Sequence, residues 1–231
     1  MEWTREELKL LKKFYPIMGS ECKQFFPRHN TVNAVQNEAR RQGIKFGLFK
    51  VGEESFLDIE STNLNADFAF MLSYSFKVKG IEDKIYSNCI TREEILSGNL
   101  DKRLIENFMK DLRRFKRIYT YYGSRFDMPF ARTRALANGY SFIPYGLIQH
   151  QDLYYMVRNK LKLSSNRLDR VCQVLGIEGK NHLEPRTWTL ATIGNEEALK
   201  YVLEHNIKDV LVLEKVYNKL KEYGMVTKRS V

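Results

Sequence analysis

Within the apolar run Phe56-Leu-Asp-Ile-Glu60, two carboxylates stand two residues apart. Side chains alternate along a strand, so a strand here puts Asp58 and Glu60 on one face. Two acids held side by side repel each other and lose hydration, and a divalent cation between them offsets both costs. The chain therefore either folds so that this strand edge cradles a metal, or leaves both carboxylates in solvent on a half-exposed face. At 231 residues, 43% of them apolar, it can build one medium domain, or a medium domain with a small one in front. Disorder is excluded by that apolar content together with an aromatic share of 13%.

The formal charge is +10, and the first 50 residues carry ten Lys/Arg against five Asp/Glu. Half of the excess thus lies in less than a quarter of the chain, which points to a basic module for a polyanion. Nucleic acid is the expected partner, DNA first and RNA as the alternative, in a larger replication or repair complex. Cys22, Cys89 and Cys172 are odd in number and form no Cys-x-x-Cys or Cys/His ligand pattern, so neither a disulfide framework nor a zinc site is indicated. The start Met-Glu-Trp-Thr has no apolar signal core, and no run of about 18 apolar residues occurs, so no membrane association is expected. The expected location is the cytoplasm, nucleoid-associated or in a phage-infected host.

Residues 3 to 15 place Trp3, Leu8, Leu11 and Tyr15 at helical spacing, with Thr4 and Glu7 as a capping box and Pro16 as the stop. A second short helix is predicted from Ser20 to Phe26, and a third from Asn30 to Gln42, capped by Asn30 or Thr31 and ended by Gly43. Three short helices with tight turns make a helix-turn-helix bundle over residues 1–45. The third presents Asn33, Gln36, Asn37, Arg40 and Arg41 around Val32, Val35 and Ala39, a mixture suited to base edges and phosphates, with Arg28 just before it. This stretch resembles Myb/SANT-like and homeodomain-like DNA-binding domains of phage and bacterial proteins. A small helical cap with a merely solvated basic surface is the plainer reading.

From residue 46 the texture changes. Strands are predicted at Phe56–Glu60, Phe68–Lys79, Lys84–Ile90 and Arg117–Tyr122. Helices are predicted at Thr91–Phe115, which Gly98 can split, and at Asp127–Asn138, Gln151–Leu161, Asn166–Leu175 and Glu196–Tyr223, the last closed by Gly224. Three strands, a helix, a strand and a helix is the order of an RNase H-like α/β sheet.

Three segments carry a resemblance to the DEDD (DnaQ-like) 3′ to 5′ exonuclease superfamily. Phe-Leu-Asp58-Ile-Glu60-Ser-Thr-Asn-Leu is similar to its first motif, Tyr-Tyr-Gly123-Ser-Arg-Phe126-Asp127 to its second and His205-Asn-Ile-Lys-Asp209-Val to its third. Spacing and the aspartate of Gln151-Asp152-Leu153 are most similar to YprB-type exonucleases and the proofreading domain of B-family DNA polymerases. The resemblance implies a mixed five-stranded, RNase H-like sheet flanked by helices over residues 46–231. It also implies two divalent cations, Mg²⁺ or Mn²⁺, held by Asp58, Glu60, Asp127 and Asp209. Thr62, Asn63, Leu64, Tyr122 and Phe126 would receive the terminal nucleotide. His205 lies one helical turn before Asp209, where the superfamily usually has Tyr, and would serve as the general base.

Two positions depart from the pattern: Asn63 stands where Gly is usual, and Tyr122 where Asn is usual. They keep two alternatives open beside the exonuclease. One is a DNA-binding or regulatory protein on a catalytically inactive RNase H-like scaffold; the other is a structure-specific or RNA-directed endonuclease. Arg125, Arg132 and Arg134 could reach phosphate or simply be solvated.

Overall fold

The computed structural model describes residues 2–44, 52–179 and 184–223. The domain boundary expected at residues 45–46 and the Gly224 helix stop lie outside them.

In the N-terminal part, Thr4 and Glu7 cap helix α1 (Arg5–Met18) reciprocally, as expected from Thr-x-x-Glu. The helix passes through Pro16 instead of stopping before it. In the last turn the missing N–H forfeits a single bond, and burial of Leu11 and Tyr15 with Cys22, Phe26, Val35 and Ala39 outweighs that loss. The predicted second α-helix is instead two 3₁₀ turns, Gly19–Phe25 and Pro27–His29. Tighter winding covers more length per residue in a stretch confined between Gly19, at φ 55°, and Pro27. Helix α2 (Val32–Arg41) begins at Thr31, whose hydroxyl accepts the Ala34 N–H.

The remainder is a five-stranded sheet with helices on both faces. In chain order the strands are β1 (Glu53–Ser61), β2 (Met71–Val78), β3 (Ile85–Cys89), β4 (Phe115–Thr120) and β5 (Gln149–Asp152), and across the sheet they run β3-β2-β1-β4-β5. β1 is antiparallel to β2 and parallel to β4, so the sheet is mixed as expected. β5 corrects the expectation that a helix begins at Gln151: the helix α6 (Leu153–Lys160) follows a four-residue polar edge strand. Gly98, at φ 75°, does split the predicted Thr91–Phe115 helix, into α3 (Arg92–Leu96) and α4 (Lys102–Leu112), and Phe115 opens β4.

Leu57, Ile59, Tyr74 and Phe76 face one side of the sheet, in a core with Leu104 and Phe108 of α4 and Ala131 of α5 (Asp127–Ala137). Phe56 and Tyr119 face the other, with Val171 of α7 (Leu168–Leu175) and Val210, Leu213 and Val216 of the last helix. Between α7 and that last helix lies α8 (Pro185–Thr192); the last, α9 (Glu196–Leu220), is capped by the Asn195 side chain. Alternation on β1 therefore turns Asp58 and Glu60 toward α9. No helix among the described residues is long and apolar enough to cross a membrane.

Candidate metal centre

β1 keeps its pairing with β2 as far as Ser61, but its pairing with β4 ends at Phe56 opposite Tyr119. Beyond that point α5 fills the space. Its first residue, Asp127, is buried, and its Oδ1 accepts the Ile59 N–H at 3.1 Å, between Asp58 and Glu60 in sequence. Burial pushes the Asp127 carboxyl up, Asp152 adds to the rise, and the N–H groups of Asp127 and Ile59 partly oppose it, leaving it at about 7. Gly123 makes this placement fit: a Cβ there would lie 2.7 Å from Asp127 Oδ2 and 2.4 Å from Thr120 Oγ1.

From α9, His205 and Asp209 point to the same place, one helical turn apart and both buried. His205 Nε2 lies 3.6 Å from Asp209 Oδ2 and 4.0 Å from Glu60 Oε1. Glu60, His205 and Asp209 each offer a ligand atom, all within 4.8 Å of one another. Asp58 joins the same region through Asn206, whose Nδ2 donates to Asp58 Oδ2 at 2.6 Å. Among the described residues, the tightest group is thus Glu60, His205 and Asp209, while Asp58 and Asp127 adjoin it through Asn206 and Ile59.

The surroundings fit a divalent cation with its waters. Opposite Glu60 and Asp58 on β2 are Ser73 and Ser75, and their hydroxyls, with Asn206 Oδ1, are buried with no protein hydrogen-bond partner among the described residues. Carboxylate, hydroxyl and amide oxygens beside one imidazole are the donors a hard dication takes.

The expected substrate residues divide. Leu64, which is exposed, and Phe126 line one groove of about 300 Å³ together with Arg125 and Pro129. Thr62 is tied into the loop after β1, exchanging hydrogen bonds with the Phe70 backbone. Asn63 needs no glycine-like backbone: among the described non-glycine residues only Leu100 and Tyr122 have positive φ. Tyr122, at φ 67°, is strained by about 1 kcal/mol, which the usual Asn would tolerate better. Arg134 binds the buried Asp101 carboxylate through two nitrogens at 2.7 and 2.9 Å, which assigns it to the scaffold.

Of the proposed DNA contacts, Asn33, Gln36, Asn37 and Arg40 are exposed on α2. Arg28 and Arg41 are already engaged in ion pairs, with Glu7 at 2.8 Å and Glu38 at 2.9 Å. Two site residues escaped the sequence reading. Asn206 sits inside the third motif but had no role assigned to it. Asp152 caps α6 through the Tyr154 N–H and holds the Tyr122 and Ser124 N–H groups and the Ser124 hydroxyl at 2.6 to 3.0 Å. Its only sequence signal was the resemblance around Gln151-Asp152-Leu153.

No curated protein matches the chain. Among solved structures, the family B DNA polymerase from the hyperthermophilic archaeon Pyrobaculum calidifontis is similar over 74% of this chain, with a TM-score of 0.57 and 19% identity. The match spans 25% of the polymerase chain, about a quarter of its length, and the likeness is one of fold. The family model of the RNase H superfamily matches residues 55–221, which include the whole acidic cluster on β1, α5 and α9. This chain belongs to the RNase H superfamily.

Proposed function

We propose that the chain is a metal-dependent nuclease that hydrolyses phosphodiester bonds of DNA, as a 3′ to 5′ exonuclease of DnaQ-like type. Residues 1–45 would tether residues 46–231 to DNA, raising the local concentration of substrate without altering the chemistry. The observation that supports this reading best is the convergence of Glu60, His205 and Asp209 within 4.8 Å, with Asp58 and Asp127 adjoining.

Asp58, Glu60, Asp127 and Asp209 would hold two divalent cations, Mg²⁺ or Mn²⁺. When bound, these supply a Lewis acid for the attacking water and for the departing 3′ oxygen. His205 Nε2 takes the proton as the water oxygen bonds to phosphorus, and Asp209 and Glu60 stabilise the resulting imidazolium. The phosphorus–O3′ bond breaks, and solvent returns a proton to the leaving oxygen. Burial of Asp209 and Asn206 against β1 keeps this geometry fixed. Leu64 and Phe126 offer apolar surface to the terminal nucleotide, and Arg125 in the same groove offers a phosphate partner.

The test is mononucleotide release from a 3′-labelled strand in Mn²⁺. Asp58→Ala and Asp209→Ala should each lower the rate by at least about 10³-fold. Equal rates in variant and parent would refute the assignment. A circular strand cut as fast as a linear one would convert the exonuclease into an endonuclease.

A further inference from the structure

From its setting, we infer that Tyr122, backed by Tyr154, is a stacking shelf for an unpaired nucleobase. The inference rests on the nuclease reading and adds to it a base-stacking residue at a position where Asn is usual.

The shelf is built around one carboxylate. Asp152 Oδ1 accepts the N–H groups of both Tyr122, at 2.8 Å, and Tyr154, at 3.0 Å. This brings the two rings together edge to face, with centroids 4.8 Å apart and planes at 71°. Tyr121 and Tyr155 pack edge-on against Tyr154 at 5.9 and 5.3 Å and fix its orientation. Arg125 Nε donates to Tyr155 Oη at 3.3 Å, which stations a cation at the rim.

Tyr122 is the member that a core-packing role does not explain. It keeps 46% of its surface in solvent while its backbone stays left-handed, a conformation disfavoured for a bulky residue. Besides the Asp152 bond, its carbonyl accepts the N–H groups of Arg125 at 3.0 Å and Phe126 at 3.1 Å. The loop therefore holds an exposed aromatic ring in a strained pose, at the residue before Gly123, whose lack of a Cβ leaves room for the Asp127 carboxylate. An open aromatic face with an arginine beside it suits a base and its phosphate, and every base has a face to stack. A duplex has its base faces covered by their neighbours, so it cannot use the shelf. The excess positive charge of the chain favours the same polyanionic occupant.

The experiment is a cycle between protein and strand, run on the full chain with Ca²⁺ in place of Mg²⁺ to separate binding from turnover. Single strands carrying one abasic site, moved stepwise from the 3′ end, are titrated against the parent protein, Tyr122→Phe and Tyr122→Asn. Asparagine tolerates the left-handed backbone, so that variant should fold, and phenylalanine retains the ring. At one position the missing base should weaken binding to the parent and to Tyr122→Phe by about 5- to 150-fold, but leave Tyr122→Asn nearly unchanged. A 2-aminopurine placed at that position should be quenched by the first two proteins and not by the third. Duplex binding should be the same for all three. If the parent binds strands but the abasic penalty survives in Tyr122→Asn, the shelf is refuted and the nuclease reading stands. If the parent binds no strand at all, both fail.

Discussion

The two ends of β1 hold half-buried acids on the same face, beneath the same helix, and resolve the cost differently. At the start of the strand, Glu54 is met by Lys79 at 2.7 Å, Arg117 at 3.0 Å and the Tyr119 hydroxyl at 2.7 Å, and Lys79 continues to Tyr217 of α9 at 3.0 Å. Burial pushes the Glu54 carboxyl up, but the hydrogen bonds and charges of these partners more than reverse it, and it ends below the usual range. Two to three turns back along α9, Asp58 and Glu60 meet an amide and an imidazole, Asn206 and His205, together with a further acid, Asp209. The Asp127 carboxyl beside them rises to about 7. Glu54 is met by Lys79 and Arg117 of the chain; under the nuclease reading, Asp58 and Glu60 hold divalent cations.

Four changes would sharpen or break that contrast. The largest effect is expected from Gly123→Ala, whose methyl would press on Asp127 and Thr120. A displacement approaching 1 Å should cost about 10²-fold in kcat of the folded protein, and the clash with Thr120 should also lower the melting temperature; an unchanged kcat would show that Asp127 tolerates movement. Next is Lys79→Met at the paired end. It leaves Glu54 without a main partner, and since Lys79 keeps 30% of its side chain exposed, the loss should fall below that of a fully buried pair, at about 2 kcal/mol by urea unfolding. Activity of the folded fraction should survive; if activity falls instead, the two ends are coupled.

The third concerns pH. A carboxyl raised in the fold keeps its proton where the unfolded chain has lost it, so Asp127 subtracts stability as pH rises from about 4 to about 7. Cation binding must expel that proton. Mn²⁺ affinity should therefore climb about tenfold per unit as pH approaches 7 and level off above it, and Asp127→Asn should flatten that step. Glu54 has the opposite sign: its stabilisation is present above the unfolded carboxylate range and is lost as pH falls through its lowered folded value. The smallest effect is on Asp209→Asn in chelator, where relief of crowded acids should raise stability by about 1 kcal/mol, and a loss there would mean that Asp209 serves the fold before the metal.

Local patterns disclosed what depends on local physics. The capping box at Thr4 and Glu7, the break at Gly98 and the end of α7 at Gly176 followed from backbone preferences of single residues. Alternation was enough to put Asp58 and Glu60 on one face, and the three motifs brought in α5 and α9. β5 escaped because Gln149–Asp152 is four polar residues on a sheet edge, with His150 and Gln151 buried by neighbours that no local period reveals. α8 carries a weak apolar pattern after Pro185 and was missed for a similar reason. The tasks of Gly123, Asp152 and Asn206 depend on how separate segments meet, and spacing along the chain is silent on that. Pro16 shows the reverse: a strong local rule for ending a helix yielded to the burial of Leu11 and Tyr15.

Calorimetric titration of Mn²⁺ into the full chain, beside Glu60→Gln and Asp209→Asn, tests the acidic cluster most directly. The parent should bind two ions per chain, and each variant should lose at least one of them. A parent that takes up no Mn²⁺ at millimolar concentration, or variants that bind as the parent does, would contradict a metal centre between β1, α5 and α9.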